Sequence, residues 1–284
     1  MKPQSFDYFR AASVEEAISL LVQEGEDSKV LAGGQSLLPM MNFRLARPTA
    51  LIDVAHIDAL RGISMTPSDI RIGSMTRHLE LENSTVSGPM GSLLRQSAGR
   101  VGHLPIRTRG TIGGSLAHSD PSSEWCMLAT LMDAEVSIEG PRGLRKVAAH
   151  DFFVTYFTTA MEFDELLIAV EFPQLPGNYR VAVQEFARRA GDFAIVGIMT
   201  AFSVDDGVIA DPRIAVGGVA DRVLRLSEAE SALVGKEPTE ENFSKAATIA
   251  MGEVNPAGDL HGPPEFRRDL VKALTRRALA GASA

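Results

Sequence analysis

Two short segments of the chain combine the residue types that grip a phosphate: Ala32-Gly33-Gly34-Gln35-Ser36 and Thr111-Ile112-Gly113-Gly114-Ser115. Each sets a glycine pair and a serine directly after an apolar stretch, and the second pair lies 80 positions beyond the first. Paired glycines let the backbone take conformations closed to other residues and approach a ligand closely. Successive N–H groups then converge on phosphate oxygens, and a serine hydroxyl adds a further donor. One such block is equally well explained as an ordinary turn. Two, both ending in Ser, predict a diphosphate held from two sides.

Neither block is one of the better-known phosphate motifs. The Gly-x-Gly-x-x-Gly of a dinucleotide-binding unit is absent from both, and the single Gly-Lys step, Gly235-Lys236, is followed by Glu237 and makes no P-loop. Gly34-Gln35-Ser36-Leu37-Leu38 begins like a nucleophile elbow and lacks its closing glycine. His103 and His118 flank the second block, where a histidine either tunes a bound group or serves structure.

The elements that must position these blocks follow from periodicity. Ser13 with Glu16 reads as a capping box, Val14, Ala17, Ile18 and Leu21 recur at helical spacing, and Gly25 provides a stop. Lys29 to Ala32 reads as a short strand running into the first block. Ser36 to Leu45 allows one or two helical turns interrupted by Pro39, and Ala50–Val54 and Ile70–Gly73 read as strands, giving a βαβ-like start. Ser87 to Val101 predicts a helix, followed by a loop from Gly102 to Pro121. Pro121 suits the first turn of a helix carrying Trp125, Leu128 and Met132. Glu135–Glu139 and Glu165–Phe172 read as strands. Beyond Gln174-Leu175-Pro176-Gly177-Asn178, the best boundary in the chain, Ile195–Val204 and Val208–Val219 flank the hairpin signal Asp205-Asp206-Gly207. Helical patterns close the chain at Ser227–Val234, Thr239–Met251 and Pro264–Leu279.

The 284 residues suffice for a sizeable core and two domains, and 45% hydrophobic with 23% charged residues is an ordinary globular balance. A net charge of −8 argues against nucleic-acid binding, which needs a basic surface. It also opposes an anionic ligand at long range, but screening beyond about 8 Å leaves local N–H donors free to prevail. One cysteine, Cys126, excludes an internal disulfide and an iron–sulfur cluster held by this chain alone. The six histidines, at 56, 78, 103, 118, 150 and 261, lack metal-ligand spacing. The start, Met1-Lys2-Pro3-Gln4-Ser5-Phe6, has no apolar signal-peptide core, and Phe193–Val204 is far shorter than the ~20 residues of a spanning helix. A cytoplasmic protein without a transmembrane segment is expected.

Ala32-Gly33-Gly34-Gln35-Ser36-Leu37-Leu38-Pro39 and Ile106-Arg107-Thr108-Arg109-Gly110-Thr111-Ile112-Gly113-Gly114-Ser115-Leu116-Ala117, followed by Asp120-Pro121, resemble the FAD-binding medium subunit of molybdenum hydroxylases, the carbon monoxide dehydrogenase and xanthine dehydrogenase group. The resemblance continues through Arg188-Arg189-Ala190-Gly191-Asp192-Phe193-Ala194 and Ala215-Val216-Gly217-Gly218-Val219-Ala220. It implies an α+β chain: a two-part vanillyl-alcohol-oxidase-like (PCMH-type) FAD-binding domain over residues 1–175, split at 1–55 and 56–175, then a smaller C-terminal domain of antiparallel sheet and helical cluster over 178–284.

The resemblance further implies that Ala32, Gly33, Gly34, Gln35 and Ser36 together with Thr111, Ile112, Gly113, Gly114 and Ser115 bind the FAD pyrophosphate and adjoining ribityl region. Lys29 either adds a contact at the strand end or stays solvated. Asp120 and Glu124 either complement a helix N-terminus or accept hydrogen bonds from the flavin or ribityl groups. Leu167 and Ile168 pack near the isoalloxazine or serve the core. Three departures stand out: Glu124 where many members carry Asp, Phe193 where some carry Tyr, and Glu185 where a basic residue is frequent.

The function implied is electron transfer from partner [2Fe-2S] clusters through FAD to an external acceptor, with substrate oxidised at the molybdenum cofactor of another chain. No catalytic residue and no metal ligand is assigned to this chain. Its expected partners are an iron–sulfur small subunit and a molybdenum-binding large subunit, arranged as a dimer of heterotrimers. The rival readings are a self-contained FAD-dependent oxidase or reductase and a flavin-free assembly module. Gly33→Val or Gly114→Val is expected to block the pyrophosphate and leave folded apoprotein.

Overall fold

Helix α1 (Val14–Glu24) begins where Ser13 accepts a hydrogen bond from the Glu16 N–H at 3.1 Å. Glu16 reaches back to the N–H of Ala12 at 2.7 Å, one residue earlier than in a strict capping box. Gly25 closes the helix at φ 74°. This is the first element of a computed structural model that describes residues 2–283.

Strands β1 (Asp7–Arg10), β2 (Ser28–Leu31) and β3 (Ala50–Asp53) form a parallel sheet with β3 in the centre, Asp7 and Ser28 both in register with Ala50. The βαβ-like start is therefore present, with β1 as an unforeseen edge. The helix after the first glycine block, α2 (Leu37–Asn42), is not interrupted by Pro39. That proline sits in the first turn, where its missing N–H has no helical acceptor to lose.

A five-stranded antiparallel sheet follows, built from β4 (Ile63–Met65), β5 (Asp69–Gly73), β6 (Glu135–Gly140), β7 (Gly143–Ala148) and, in its centre, β10 (Leu166–Pro173); β8 (Phe153–Thr155) and β9 (Thr158–Thr159) make a separate hairpin. Its helices are α3 (His78–Glu82), α4 (Gly88–Arg100), α5 (Leu104–Arg107), α6 (Ile112–His118), α7 (Glu124–Leu131) and α8 (Ala149–Phe152). The expected loop from Gly102 to Pro121 is thus corrected: it holds α5 and α6, and the second glycine pair lies inside α6. Pro121 precedes α7 in a turn instead of opening it.

The remaining sheet is antiparallel, in the order β11 (Tyr179–Phe186), β12 (Val196–Asp205), β13 (Val208–Gly217) and β14 (Leu224–Arg225). Asp206 and Gly207, at φ 51° and 83°, form the turn between β12 and β13, as a two-residue hairpin loop demands. Helices α9 (Ser227–Leu233), α10 (Glu240–Gly252) and α11 (Pro264–Ser283) cover one face, packing Phe243, Leu274 and Leu279 on Ile198 and Phe202. Met199 and Ala215 on the other face join the core around Trp125. Burial on both faces explains why Phe193–Val204 is uncharged. Among the described residues no helix is long and apolar enough to cross a membrane.

Candidate cofactor site

The first glycine block leaves the carboxyl end of β2, the end at which open parallel sheets bind ligands. Gly34 takes φ 71°, a value that favours glycine, and turns the chain into α2. Gln35 folds back to donate from Nε2 to the Gly33 carbonyl at 2.7 Å. Among the described residues, the N–H groups of Gly33, Gly34, Gln35 and Ser36 donate to no other part of the chain. All four residues are half-buried. Consecutive free donors of this kind form the concave anion cradle known as a nest.

The second block is built differently. Thr111 is the N-cap of α6, its hydroxyl accepting from the Gly114 N–H at 3.1 Å. The Ile112 N–H bonds to the Thr76 carbonyl at 3.1 Å, Gly113 to that of Ser74 at 2.9 Å, and Ser115 to that of Thr111 at 3.1 Å. Four of its five backbone donors are therefore committed inside the protein, and the Thr111 N–H and the Ser115 hydroxyl have no partner among the described residues. Gly113 is required by packing, since a Cβ there would lie 2.4 Å from the Ser74 Cβ.

The two blocks touch. A Cβ on Gly33 would fall 2.4 Å from the Arg109 carbonyl oxygen and 2.7 Å from the Gly110 Cα, and one on Gly114 would lie 3.6 Å from the Ala32 Cβ. Glycine at 33 thus serves the approach of block to block. Gly110 is pressed in turn on His78, whose Nε2 would meet an added Cβ at 2.6 Å. His78 stacks on Trp125 and accepts its indole N–H at 3.0 Å; burial, aided by Arg77 and Arg107, drives the His78 pKa down to about 3 and keeps it a neutral acceptor.

Three arginines gather beside the blocks. Burial and the neighbouring Arg61 and Arg109 lower the pKa of Arg77, while Glu80 and Asp53 oppose them. Arg77 also donates to the Arg109 carbonyl. Three guanidinium groups, against the carboxylates of Glu80 and Asp53, thus stand beside the blocks in a chain of net charge −8. Composition alone could not reveal this, because Arg61, Arg77 and Arg109 come together only through the fold.

Lys29 is exposed on β2, three residues before the first block. Leu167 is buried in the core of the larger sheet, whereas Ile168, at a bulge in the β10–β6 pairing, packs on the core of the parallel sheet and accepts the Ser74 N–H at 3.0 Å. Ile168, Ser74 and Gly113 therefore form one line between the two sheets. Asp120 accepts the Ser122 N–H at 2.8 Å and shapes the turn from α6 to α7. Glu124 opens α7 as a buried carboxyl, and burial, then repulsion from Glu185 on β11, raises its pKa to about 8. Phe193 is 62% exposed and lines a cavity of about 440 Å³ with Ser122, Arg188 and Arg267.

Four consecutive donors, neighbouring arginines and a close-approach glycine suit a diphosphate, so the residues present fit FAD. Comparison with known proteins agrees. Residues 4–175 match the family model described as FAD binding domain in molybdopterin dehydrogenase, and residues 181–282 match CO dehydrogenase flavoprotein C-terminal domain. The 6-hydroxypseudooxynicotine dehydrogenase complex subunit alpha of Paenarthrobacter nicotinovorans is 37% identical, over 99% of this chain and 96% of its own length. The carbon monoxide dehydrogenase medium chain of Hydrogenophaga pseudoflava is 36% identical, over 99% and 98%. Among solved structures, a carbon monoxide dehydrogenase from H. pseudoflava superposes with a TM-score of 0.96 at 37% identity, covering 100% of this chain and 99% of that one. Quinoline 2-oxidoreductase from Pseudomonas putida 86 gives 0.93 at 34% identity, covering 100% and 98%.

Proposed function

Because the chain belongs to the family of FAD-binding medium subunits of molybdenum hydroxylases, we propose that it receives electrons from [2Fe-2S] clusters on a small subunit and passes them to an external acceptor. FAD supplies the redox chemistry when bound; the chain binds, orients and electrostatically tunes it. Substrate is oxidised at a molybdenum cofactor on a large subunit. The three chains assemble as a dimer of heterotrimers in the cytoplasm. The lone Cys126 supports this division of labour: it is buried, and burial pushes its thiol pKa far up, so it offers no thiolate to a cluster.

The observation that carries the reading is the run of free N–H donors from Gly33 to Ser36 in a block that packs closely on Arg109 and Gly110, just ahead of the second block. Those four, with Ala32, hold the pyrophosphate. Thr111, Ile112, Gly113 and Gly114 form the surface on which it lies, and the Ser115 hydroxyl adds a bond. Lys29 supplies charge from the strand end, Asp120 and Glu124 border the site along the turn into α7, and Leu167 and Ile168 wall its apolar end. In this reading the chain divides into residues 1–175, with parts 1–55 and 56–175, and 178–284, and the cofactor lies between the two parts of the first domain.

The chain purified from its native source is expected to carry one FAD and to travel with iron and molybdenum. Purified chain that reduces its own flavin with substrate would establish a self-contained oxidase instead. Folded chain that takes up no added FAD would establish a flavin-free assembly module.

A further inference from the structure

A line of close contacts leads from the first glycine block into the core, through Gly110, His78 and Trp125. A Cβ on Gly33 would lie 2.7 Å from the Gly110 Cα, and one on Gly110 would lie 2.6 Å from the His78 Nε2 and 2.7 Å from its Cδ2. The His78 ring in turn stacks on Trp125 of α7, with ring centroids 5.7 Å apart and planes 19° from parallel. Trp125 is fully buried and His78 is 2% exposed. None of the three residues behind Gly33 is among those expected to touch FAD.

His78 makes two polar contacts. Its backbone N–H donates to the Gly110 carbonyl at 3.1 Å, and its Nδ1 accepts the Trp125 indole N–H at 3.0 Å. A neutral ring that accepts at Nδ1 carries its proton on Nε2, so the protonated edge is the one pressed on Gly110. Neighbouring contacts hold the same segment. Arg77 donates to the Arg109 carbonyl, Thr76 accepts the Ile112 N–H at 3.1 Å, and Arg107 pairs with Glu82 of α3 at 2.7 Å. Residues 76–82 thus grip residues 107–112, and the His78 ring links that grip to α7. The peptide so held lies against Gly33, where a Cβ would fall 2.4 Å from the Arg109 carbonyl oxygen.

We propose, on the reading of the first block as the pyrophosphate site, that His78 is a positioning residue for FAD. Its ring is the spacer that sets the Arg109–Gly110 peptide against Gly33, and through Gly33 it sets the spacing of the free donors up to Ser36. Protein interiors are close-packed, so a shift at one contact passes to the next instead of being absorbed. Truncating the ring leaves a space into which residue 110 relaxes, and Gly33 loses the surface it packs on. The two polar ends of the line then have separate consequences. FAD affinity follows the ring edge against Gly110. Stability follows the bond to Trp125, because a buried indole N–H without an acceptor carries the full desolvation penalty.

The test separates those properties in the cofactor-free chain, reading FAD affinity by fluorescence titration and stability by the urea midpoint. H78N keeps an acceptor for the indole and removes the ring edge, whereas H78F keeps the ring and removes the acceptor. H78N is expected to weaken FAD binding about tenfold or more, the worth of one hydrogen bond to a charged group. H78F should lower the urea midpoint and still hold FAD affinity within about threefold of the unmodified chain. G110A, whose Cβ meets the ring, should weaken FAD binding alone and recover part of the loss when combined with H78N, the non-additivity of residues in contact. H78N binding FAD as tightly as the unmodified chain, H78F losing as much affinity as H78N, or an additive G110A/H78N pair would overturn the proposal. If H78N fails to fold, G110A decides, and unchanged FAD affinity in it overturns the proposal. Unmodified chain that takes up no FAD is a different failure: it overturns the pyrophosphate reading itself, and the role of His78 with it.

Discussion

The two glycine blocks look alike in sequence and do opposite work in the fold. The first is an irregular turn with Gly34 at positive φ and its donors from Gly33 to Ser36 unclaimed. The second is the first turn of a helix, with the N–H groups of Ile112, Gly113, Gly114 and Ser115 claimed by Thr76, Ser74 and Thr111. Glycine at 34 provides conformation, while glycine at 113 provides closeness to Ser74. One block is a donor cradle and the other is the floor that holds it in place. A repeated motif is thus no guide to a repeated role until the fate of each N–H is known.

The largest expected break is Gly113→Val. A Cβ 2.4 Å from Ser74 forces α6 off the larger sheet, and overpacking of this kind costs about 1–3 kcal/mol or more. A drop in the denaturant midpoint, present with or without FAD, would mark the second block as scaffold. Next comes Gly33→Val, which pushes the Arg109 carbonyl away and parts the blocks. Absorbance after reconstitution should show FAD lost from chain that remains folded by circular dichroism. The mechanism differs from direct obstruction of the pyrophosphate, because the atoms in the way belong to the protein. Thr111→Ala removes an N-cap worth about 1 kcal/mol and should lower Tm in the apo and loaded chain alike, with Thr111→Ser restoring it. Smallest is Ser115→Ala, where a few-fold weaker FAD affinity by fluorescence titration, with Tm unchanged, would separate its hydroxyl from the scaffold around it.

Much of this arrangement was legible in the chain. The hairpin at Asp206-Gly207 carried its own turn chemistry, and α1 its cap at Ser13 and its stop at Gly25. Other elements were hidden because their stability is not local. β1 is a short edge strand held by β3, and β11 alternates weakly because α4 and α11 cover its two faces. Helix α6 was masked by its own Gly113 and Gly114, poor helix formers that tertiary bonds to Ser74 and Thr76 override. Glu124 sat in the expected segment, yet its burial could not be read from its residue type.

By itself the sequence determined that this protein has two glycine blocks, a single cysteine where a cluster needs several, and strands and helices enough for two domains. Those properties follow from residue type and short spacing, which act over a few bonds. Which block keeps free donors and which spends them inside its helix, and how Arg61, Arg77 and Arg109 come together in an acidic chain, were decided by tertiary structure alone. Hydrogen bonding, desolvation and Coulomb interaction depend on distances through space, and the chain brings those groups together only when folded.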